Sequence, residues 1–386
     1  MKIAIDVFPI MQPKTGVGHY TYHLISNFAK LAPENEYYLC DALGGIGFYN
    51  MVHLKADLSK SNSFLRISTV PFPFVTLCRL FLLLSNKLKG SATTLEQADI
   101  FFGTNYRGRF SDSFQTVLTI HDMAHAYFPE TIEENSLKYL TSELPEAAAR
   151  ARIIIAVSET TRQDIIKVLG IAPERVKVVY NGVDEVFRPL PDSDALATVR
   201  ERYELPAKFI LSVGTVQPRK NIEALISAFA LLRADFPDHY LVLAGGTGWK
   251  SEGLKAFING KGLEGKVHLT GYVDQDDLPA LYNLAEVFAF PSLYEGFGLP
   301  VLEAMACGIP VVTSNTSCLP EIAGDAAILV DPGKVEEIAQ GIGQLLSSAE
   351  LRNQCREKGL ERVKLFTWEQ CARGTLAVLR EALEAS

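Results

Sequence analysis

At 386 residues the chain is longer than one hydrophobic core usually supports, since single cores stop growing at roughly 250 to 300 residues, and two domains are expected. Its composition, 48% hydrophobic and 21% charged with Gly and Pro scattered, excludes the disordered and fibrous classes and suits a globular enzyme. Thirty-seven basic against 45 acidic residues give a formal charge of -8, which speaks against nonspecific attraction to nucleic acid or anionic lipid.

The N-terminus, MKIAIDVFPI, runs straight into a strand-like apolar segment without the charged region, long apolar stretch and cleavage site of a signal peptide, so a cytoplasmic location is expected. The following loop, PIMQPKTGVGHYTYHLI, puts Gly16 and Gly18 before a helix, where backbone can approach a phosphate closely. It is not the dinucleotide fingerprint, because Thr21 stands where GxGxxG needs its third glycine. Helices near Tyr20 to Lys30, Leu137 to Arg150 and Glu159 to Leu169 alternate with the buried-strand runs KIAIDVF, YYLC, DIFFG, TVLTIHD and RIIIAVS. Phe64 to Leu84, followed by Lys87 and Lys89, reads either as a buried core helix or as an apolar face with a basic flank resting on a membrane. Its most apolar part, FPFVTLCRLFLLL, is interrupted by Arg79 and is too short to span a bilayer, which takes about 20 residues. His121 and Asp122 end the strand TVLTIHD at the edge where open α/β sheets bind ligands; a packed structural histidine is the plainer alternative.

NGVDEVFRPLPDSDAL breaks both periodicities and marks a linker near residues 184–195. Beyond it the alternation repeats, with strands FILSVGT, YLVLAGG, KVHLTGY, VFAFPS, PVVTSN and AAILVD and helices such as Ile222 to Leu232 and Leu278 to Ala285. A last helix covers Trp368 to Leu383. The six cysteines, Cys40, Cys78, Cys307, Cys318, Cys355 and Cys371, form no CxxC pair and suggest neither a zinc site nor a disulfide framework.

Chemistry concentrates in the second half. In FILSVGTVQPRKNIEALISAF the strand ends at Gly214, and Arg219 and Lys220 stand before a helix that Asn221 could cap. Cations are unfavourable at the positive end of a helix dipole, so their placement suggests an anion such as a diphosphate, although two basic residues on a solvated helix start is a common alternative. AGGTGWKS resembles a P-loop only superficially, with Trp249 where a glycine is needed. In DQDDLPALY the Asp-x-Asp is read as helix capping by Asp274 and Asp277 rather than as a metal site. SLYEGFGLPVLEAMACGIPVV carries Glu295, Gly296 and Gly298 in a loop between a strand and a helix beginning near Leu299 or Pro300, with Glu303 about two turns on. For either glutamate alone a surface position would be the simpler reading; Ala304, Met305, Ala306 and the strand at Pro310 to Val312 imply burial instead.

Taken together, GTVQPRKN, NGVD, AVSETTRQDI, GYVDQDDLPALY and EGFGLPVLE with its E-x7-E spacing resemble glycosyltransferase family 4 in content and order along nearly the whole chain. The resemblance implies an α/β GT-B fold of two Rossmann-like parallel-sheet domains facing a central cleft. The first covers 1–187 with a C-terminal helix at 369–386 packing back on it, and the second covers 188–368. It implies a retaining, metal-independent hexosyltransferase using a nucleotide diphosphate sugar of the GDP-mannose or UDP-glucose type, with a glycan or lipid-linked glycan as acceptor in polysaccharide biosynthesis. No cofactor, metal or nucleic-acid partner is implied, and a peripheral contact with the inner face of the membrane through residues 64–89 stays open. By position, Arg219 and Lys220 match the pair that holds the donor diphosphate, Glu303 the glutamate on the ribose, and Glu295 the one on the transferred sugar. Phe297, Gly298 and Leu299 match the amides around sugar and diphosphate, with Gly214 among the donor-binding positions. Gly16 and Gly18 match the N-terminal phosphate loop, and His121 the histidine near the sugar's C6 hydroxyl. A phosphorylase or epimerase on the same architecture, and a nucleotide-sugar-binding module without turnover, are the alternatives.

Overall fold

The computed structural model describes residues 1–11, 16–40, 65–67, 95, 97–191, 194–246 and 253–384. The chain divides into two compact units: Met1–Met123, Lys138–Asn181 and Trp368–Ser386 form the first, and Ala124–Leu137 with Gly182–Thr367 the second. Ala124–Leu137, which the sequence boundary leaves in the first domain, thus groups with the second.

In the first unit the strands β1 (Lys2–Asp6), β2 (Glu36–Cys40), β3 (Leu65–Ile67), β4 (Ile100–Gly103), β5 (Gln115–Ile120), β6 (Ile153–Ala156) and β7 (Val176–Val178) form one parallel sheet in the order β3-β2-β1-β4-β5-β6-β7. Runs such as Ile3-Ala4-Ile5 and Ile153-Ile154-Ile155 are buried along their whole length, as strands covered on both faces must be. The order reverses between β1 and β4, the position where doubly wound sheets open a crevice at their carboxyl edge. The helix Gly16–Leu31 returns from β1 and buries Tyr20, Leu24, Ile25 and Phe28. Local signals fix the helix Glu159–Leu169: the Ser158 hydroxyl caps it by accepting from the Thr161 N–H, and Gly170 closes it in the left-handed region at φ 66. The helix expected over Leu137 to Arg150 is two helices, Glu134–Ser142 and Leu144–Arg150. Pro145 has no N–H to continue a helix and sits instead in the first turn of a new one. The last helix, Trp368–Glu384, groups with this unit; Trp368 stacks on His23 at 4.7 Å and Gly374 leaves space for Val179.

The second unit repeats the winding. Its strands are β8 (Phe209–Val213), β9 (Tyr240–Ala244), β10 (Val267–Gly271), β11 (Val287–Phe290), β12 (Val311–Ser314) and β13 (Ala327–Val330), all parallel in the order β10-β9-β8-β11-β12-β13. Period-two alternation divides the core between the two faces. Phe209, Leu211, Phe288 and Phe290 pack on one side with Tyr282 and Met305. Ile210, Val287 and Ala289 pack on the other with Leu225, Phe229 and Ile342. Both faces are apolar, so helices must cover both.

Among the described residues no helix is long and apolar enough to cross a membrane. Leu65–Ile67, at the start of the apolar segment suspected of membrane contact, is the strand β3 rather than part of a helix; residues 68–89 lie outside the described residues.

Candidate functional site

The carboxyl edge of the second sheet is shaped by short turns. Gly214, just past β8, adopts φ 145, and the stem of Lys220 lies over it, with Cε 3.6 Å from where a Cβ would stand. A 3-10 turn over Pro218–Lys220 then carries the two cations, and Asn221 adopts the left-handed conformation at φ 58 and ψ 36. The expectation that Asn221 caps the helix Ile222–Leu232 is wrong, because its side chain makes no capping hydrogen bond. Its Nδ2 instead donates to the Pro291 carbonyl at 3.1 Å and the Pro332 carbonyl at 2.7 Å, just past the ends of β11 and β13. One side chain therefore fastens the cationic turn to the ends of two other strands.

Arg219 and Lys220 converge on Glu295. Arg219 Nη1 lies 2.9 Å from Oε2 and Lys220 Nζ 2.7 Å from Oε1, with the three side chains only 13%, 13% and 10% exposed. The Arg219 guanidinium also donates to the Tyr294 carbonyl, and the Leu293 N–H donates to the Arg219 carbonyl at 2.9 Å. The Glu295 N–H donates to Ser317 Oγ at 3.1 Å. Lys220 Nζ also lies 4.6 Å from the centroid of the Phe290 ring. Burial alone would push the Glu295 carboxyl up, but Arg219 and then Lys220 outweigh it and hold it at about 2. The three side chains together carry more positive than negative charge, which suits an oxyanion ligand.

The turn after Glu295 depends on Gly298, at φ 90, where a Cβ would stand 2.8 Å from Leu319 Cδ2. The helix Leu299–Ala306 starts there without a side-chain cap; Pro300, in its first turn, has no N–H to leave unpaired, and the Val301 N–H donates to the Gly298 carbonyl at 3.0 Å. Phe297 is buried beside this turn. Glu303, on the same helix, accepts from the Tyr282 hydroxyl at 2.7 Å. Burial foremost, and then the charge of Asp184, raise its carboxyl to about 7, against the opposing pull of Tyr282 and Lys220. Lys220 thus acts electrostatically on both glutamates, which joins them in one site while their environments drive them to opposite ionisation behaviour.

Asp274 and Asp277 do not serve as the caps the spacing suggested. The helix Leu278–Asn283 starts without a side-chain cap, and Asp277 Oδ2 instead takes Arg202 Nη1 at 2.6 Å and the Tyr203 hydroxyl at 2.8 Å. A guanidinium and a phenol bind a carboxylate more strongly than a backbone N–H does, so the distant partners prevail.

The remaining candidates belong to the first unit. Gly16 and buried Gly18 open the helix after β1, while residues 12–15 of that loop lie outside the described residues. His121 follows β5 and packs edge-on to Tyr20 at 4.9 Å and near Tyr106 at 5.9 Å. Its Nε2 lies 2.8 Å from the Thr104 carbonyl. A carbonyl only accepts, so Nε2 carries the proton; burial holds the ring's pKa below its ordinary value, and Nδ1 is left as an acceptor. Sequence reasoning missed Tyr282, Ser317 and the bridging role of Asn221. Each acts on a partner at least 21 residues away, so no local pattern announces it.

The family model for Glycosyl transferases group 1 matches residues 199–362, and that for Glycosyltransferase Family 4 matches residues 15–187. The chain is 33% identical over 383 residues to O-antigen chain mannosyltransferase B of Escherichia coli, a match covering 97% of this chain and 98% of that one. It is also 33% identical over 253 residues to the MMP alpha-(1->4)-mannosyltransferase of Mycolicibacterium hassiacum, covering 64% of this chain and 56% of the relative. Among solved structures, Anabaena HepE in complex with UDP and glucose is similar with a TM-score of 0.72 at 20% identity, covering 98% of this chain and 99% of that one. A glycosyltransferase from Rickettsia africae is similar with a TM-score of 0.71 at 19% identity, covering 100% and 99%.

Proposed function

Because the chain belongs to the group 1 glycosyltransferases of family 4 and has the GT-B fold, we propose that it moves mannose from a nucleotide diphosphate donor to a glycan acceptor, with retention and without a metal. That it is a glycosyltransferase rests on the family itself; a role in polysaccharide biosynthesis follows from its mannosyltransferase relatives, and mannose as the sugar is the finer reading drawn from their names. The observation that carries the mechanism is the trio Arg219, Lys220 and Glu295.

The demanding step is departure of a nucleoside diphosphate, and preorganised positive charge at the leaving oxygen lowers that barrier most. In this reading Arg219, Lys220 and the amides opening the helix Leu299–Ala306 supply that charge, and no metal does. Glu303 holds the ribose, and Glu295 orients the sugar hydroxyls. Both oxygens of Glu295 are engaged by cations, which makes it a poor covalent nucleophile and supports attack from the face the diphosphate leaves, with donor phosphate accepting the acceptor's proton. His121, and the amides after Gly16 and Gly18, are assigned to the donor by their match to the family's motifs. Glycosyl transfer separates this reading from a binding module without turnover, and indifference to added phosphate separates it from a phosphorylase.

The test is a thermal-shift screen against GDP-, UDP-, ADP- and dTDP-sugars, followed by transfer from the donor that raises the melting temperature. A GDP-mannose shift with an α-linked product is expected; a UDP-glucose shift would replace the sugar, and an inverted product would reject retention. In Lys220→Ala, kcat should fall far more than donor KM rises, and an unchanged kcat would remove Lys220 from the leaving-group role.

A further inference from the structure

The first unit places a second cation, Arg107, at the carboxyl edge of its sheet, in the loop after β4 where the strand order reverses. Its guanidinium carbon lies 4.8 Å from the Tyr139 ring centroid and 5.4 Å from that of Phe8, which follows β1. The Tyr139 hydroxyl donates to the Tyr106 carbonyl in the same loop at 3.5 Å. The side chain is half-buried, yet among the described residues no carboxylate stands within ion-pair distance of it. Asp6 and Glu143 influence Tyr139 from nearby, and Asp6 spends a carboxylate oxygen on the Phe8 N–H at 3.1 Å. A half-buried cation normally has an anionic partner, and two aromatic faces replace only part of one.

The loop is built to hold this arrangement. A Cβ on Gly103 would overlap the Arg107 carbonyl, so only glycine lets the chain turn so tightly. Tyr106 adopts φ 54, costly for a bulky residue, and its hydroxyl holds the Asp122 N–H at 3.0 Å. Its ring lies beside His121. The strained turn thus ties the loop of Arg107 to the strand end that carries His121.

We propose that Arg107, framed by Phe8 and Tyr139, is an acceptor subsite for an oxyanion, a phosphate or carboxylate carried by the glycan acceptor. The assignment rests on the glycosyltransferase reading above. A guanidinium over an aromatic face keeps all five of its N–H donors, and its planar fork matches the two oxygens of a phosphate or carboxylate.

The test measures binding by calorimetry, in the presence of the donor's nucleoside diphosphate, of three probes: a neutral alkyl mannoside, its phosphodiester-linked counterpart and a uronate-bearing disaccharide. One charged probe should bind about tenfold or more tighter than the neutral one, the worth of a charge-assisted pair. Arg107→Gln should abolish that preference while neutral binding and donor hydrolysis stay level, and Arg107→Lys should restore part of it. The phosphate and uronate arms identify the source of the anion. Equal affinity for all three probes, no binding of either charged probe, or an equal loss across all three in Arg107→Gln would overturn the proposal. A charge preference in binding with no transfer from any donor would instead count against the glycosyltransferase reading and leave the anion site standing.

Discussion

Glu295→Gln tests whether the trio is an ion pair awaiting an anion. Glu295 is held at about 2 against an ordinary 4.5. At 1.36 kcal/mol per pH unit this difference corresponds to roughly 3 kcal/mol of stability at neutral pH. The folded-state pKa is depressed, so this stability is present above 4.5 and is lost as pH falls from there toward 2. Glutamine removes the charge on which both cations converge, and at about 2 to 4 °C per kcal/mol for a unit of this size the melting temperature should fall by on the order of 10 °C at pH 7. The same variant frees Arg219 and Lys220 from their internal anion. Affinity for the nucleoside diphosphate should therefore hold or rise severalfold while sugar transfer collapses. Differential scanning fluorimetry with and without nucleotide, alongside transfer kinetics, reads all three quantities. If the variant melts like wild type and loses nucleotide affinity, the carboxylate neither sustains the pocket nor competes with the diphosphate, and the reasoning fails.

Glu303 should make donor binding pH-dependent. Its folded pKa, about 7, is raised, so its contribution to stability is complete below 4.5 and is lost as pH rises toward 7. The ribose needs the carboxylate as acceptor, so nucleotide Kd measured by calorimetry should tighten between pH 6 and 8, and a dependence that survives in Glu303→Gln would belong to another group. Asn221→Gly keeps the left-handed backbone but loses two side-chain hydrogen bonds, so it should lower unfolding free energy by about 1 to 3 kcal/mol and reduce kcat. Asn221→Ala adds backbone strain of roughly 1 to 2 kcal/mol, and identical denaturation curves for the two variants would refute the role given to that conformation.

The fold was legible because its determinants are local and repeated. Apolar runs of three to six residues alternate with helices, and several run into a turn glycine such as Gly214, Gly245 or Gly271, so strand, turn and return are signalled repeatedly along the chain. Of the candidate site, the placement of Arg219, Lys220 and Gly298 at turns leading into helices was legible in the local motifs. The sequence was misread wherever a short polar side chain had two choices. Asn221 and Asp277 both occupy positions where capping is the nearest satisfaction, and sequence offers no view of competitors. The structure supplies them: two carbonyls past the ends of other strands for Asn221, and a guanidinium with a phenol for Asp277.

The same limit applies to charge. Sequence places two cations at a helix start and two glutamates with seven residues between them, and it suggests that an anion binds there. It cannot show that one glutamate is itself that anion in the free protein while the other keeps a proton near neutrality. Burial decides both outcomes. Where cations stand within 3 Å, as around Glu295, the desolvation cost is overcome and the carboxylate ionises. Where the direct hydrogen bond comes from a neutral phenol, as at Glu303, burial prevails and the proton stays until pH approaches 7. The seven-residue spacing therefore matters less for bringing two acids together than for placing one inside the reach of Arg219 and Lys220 and the other at its edge.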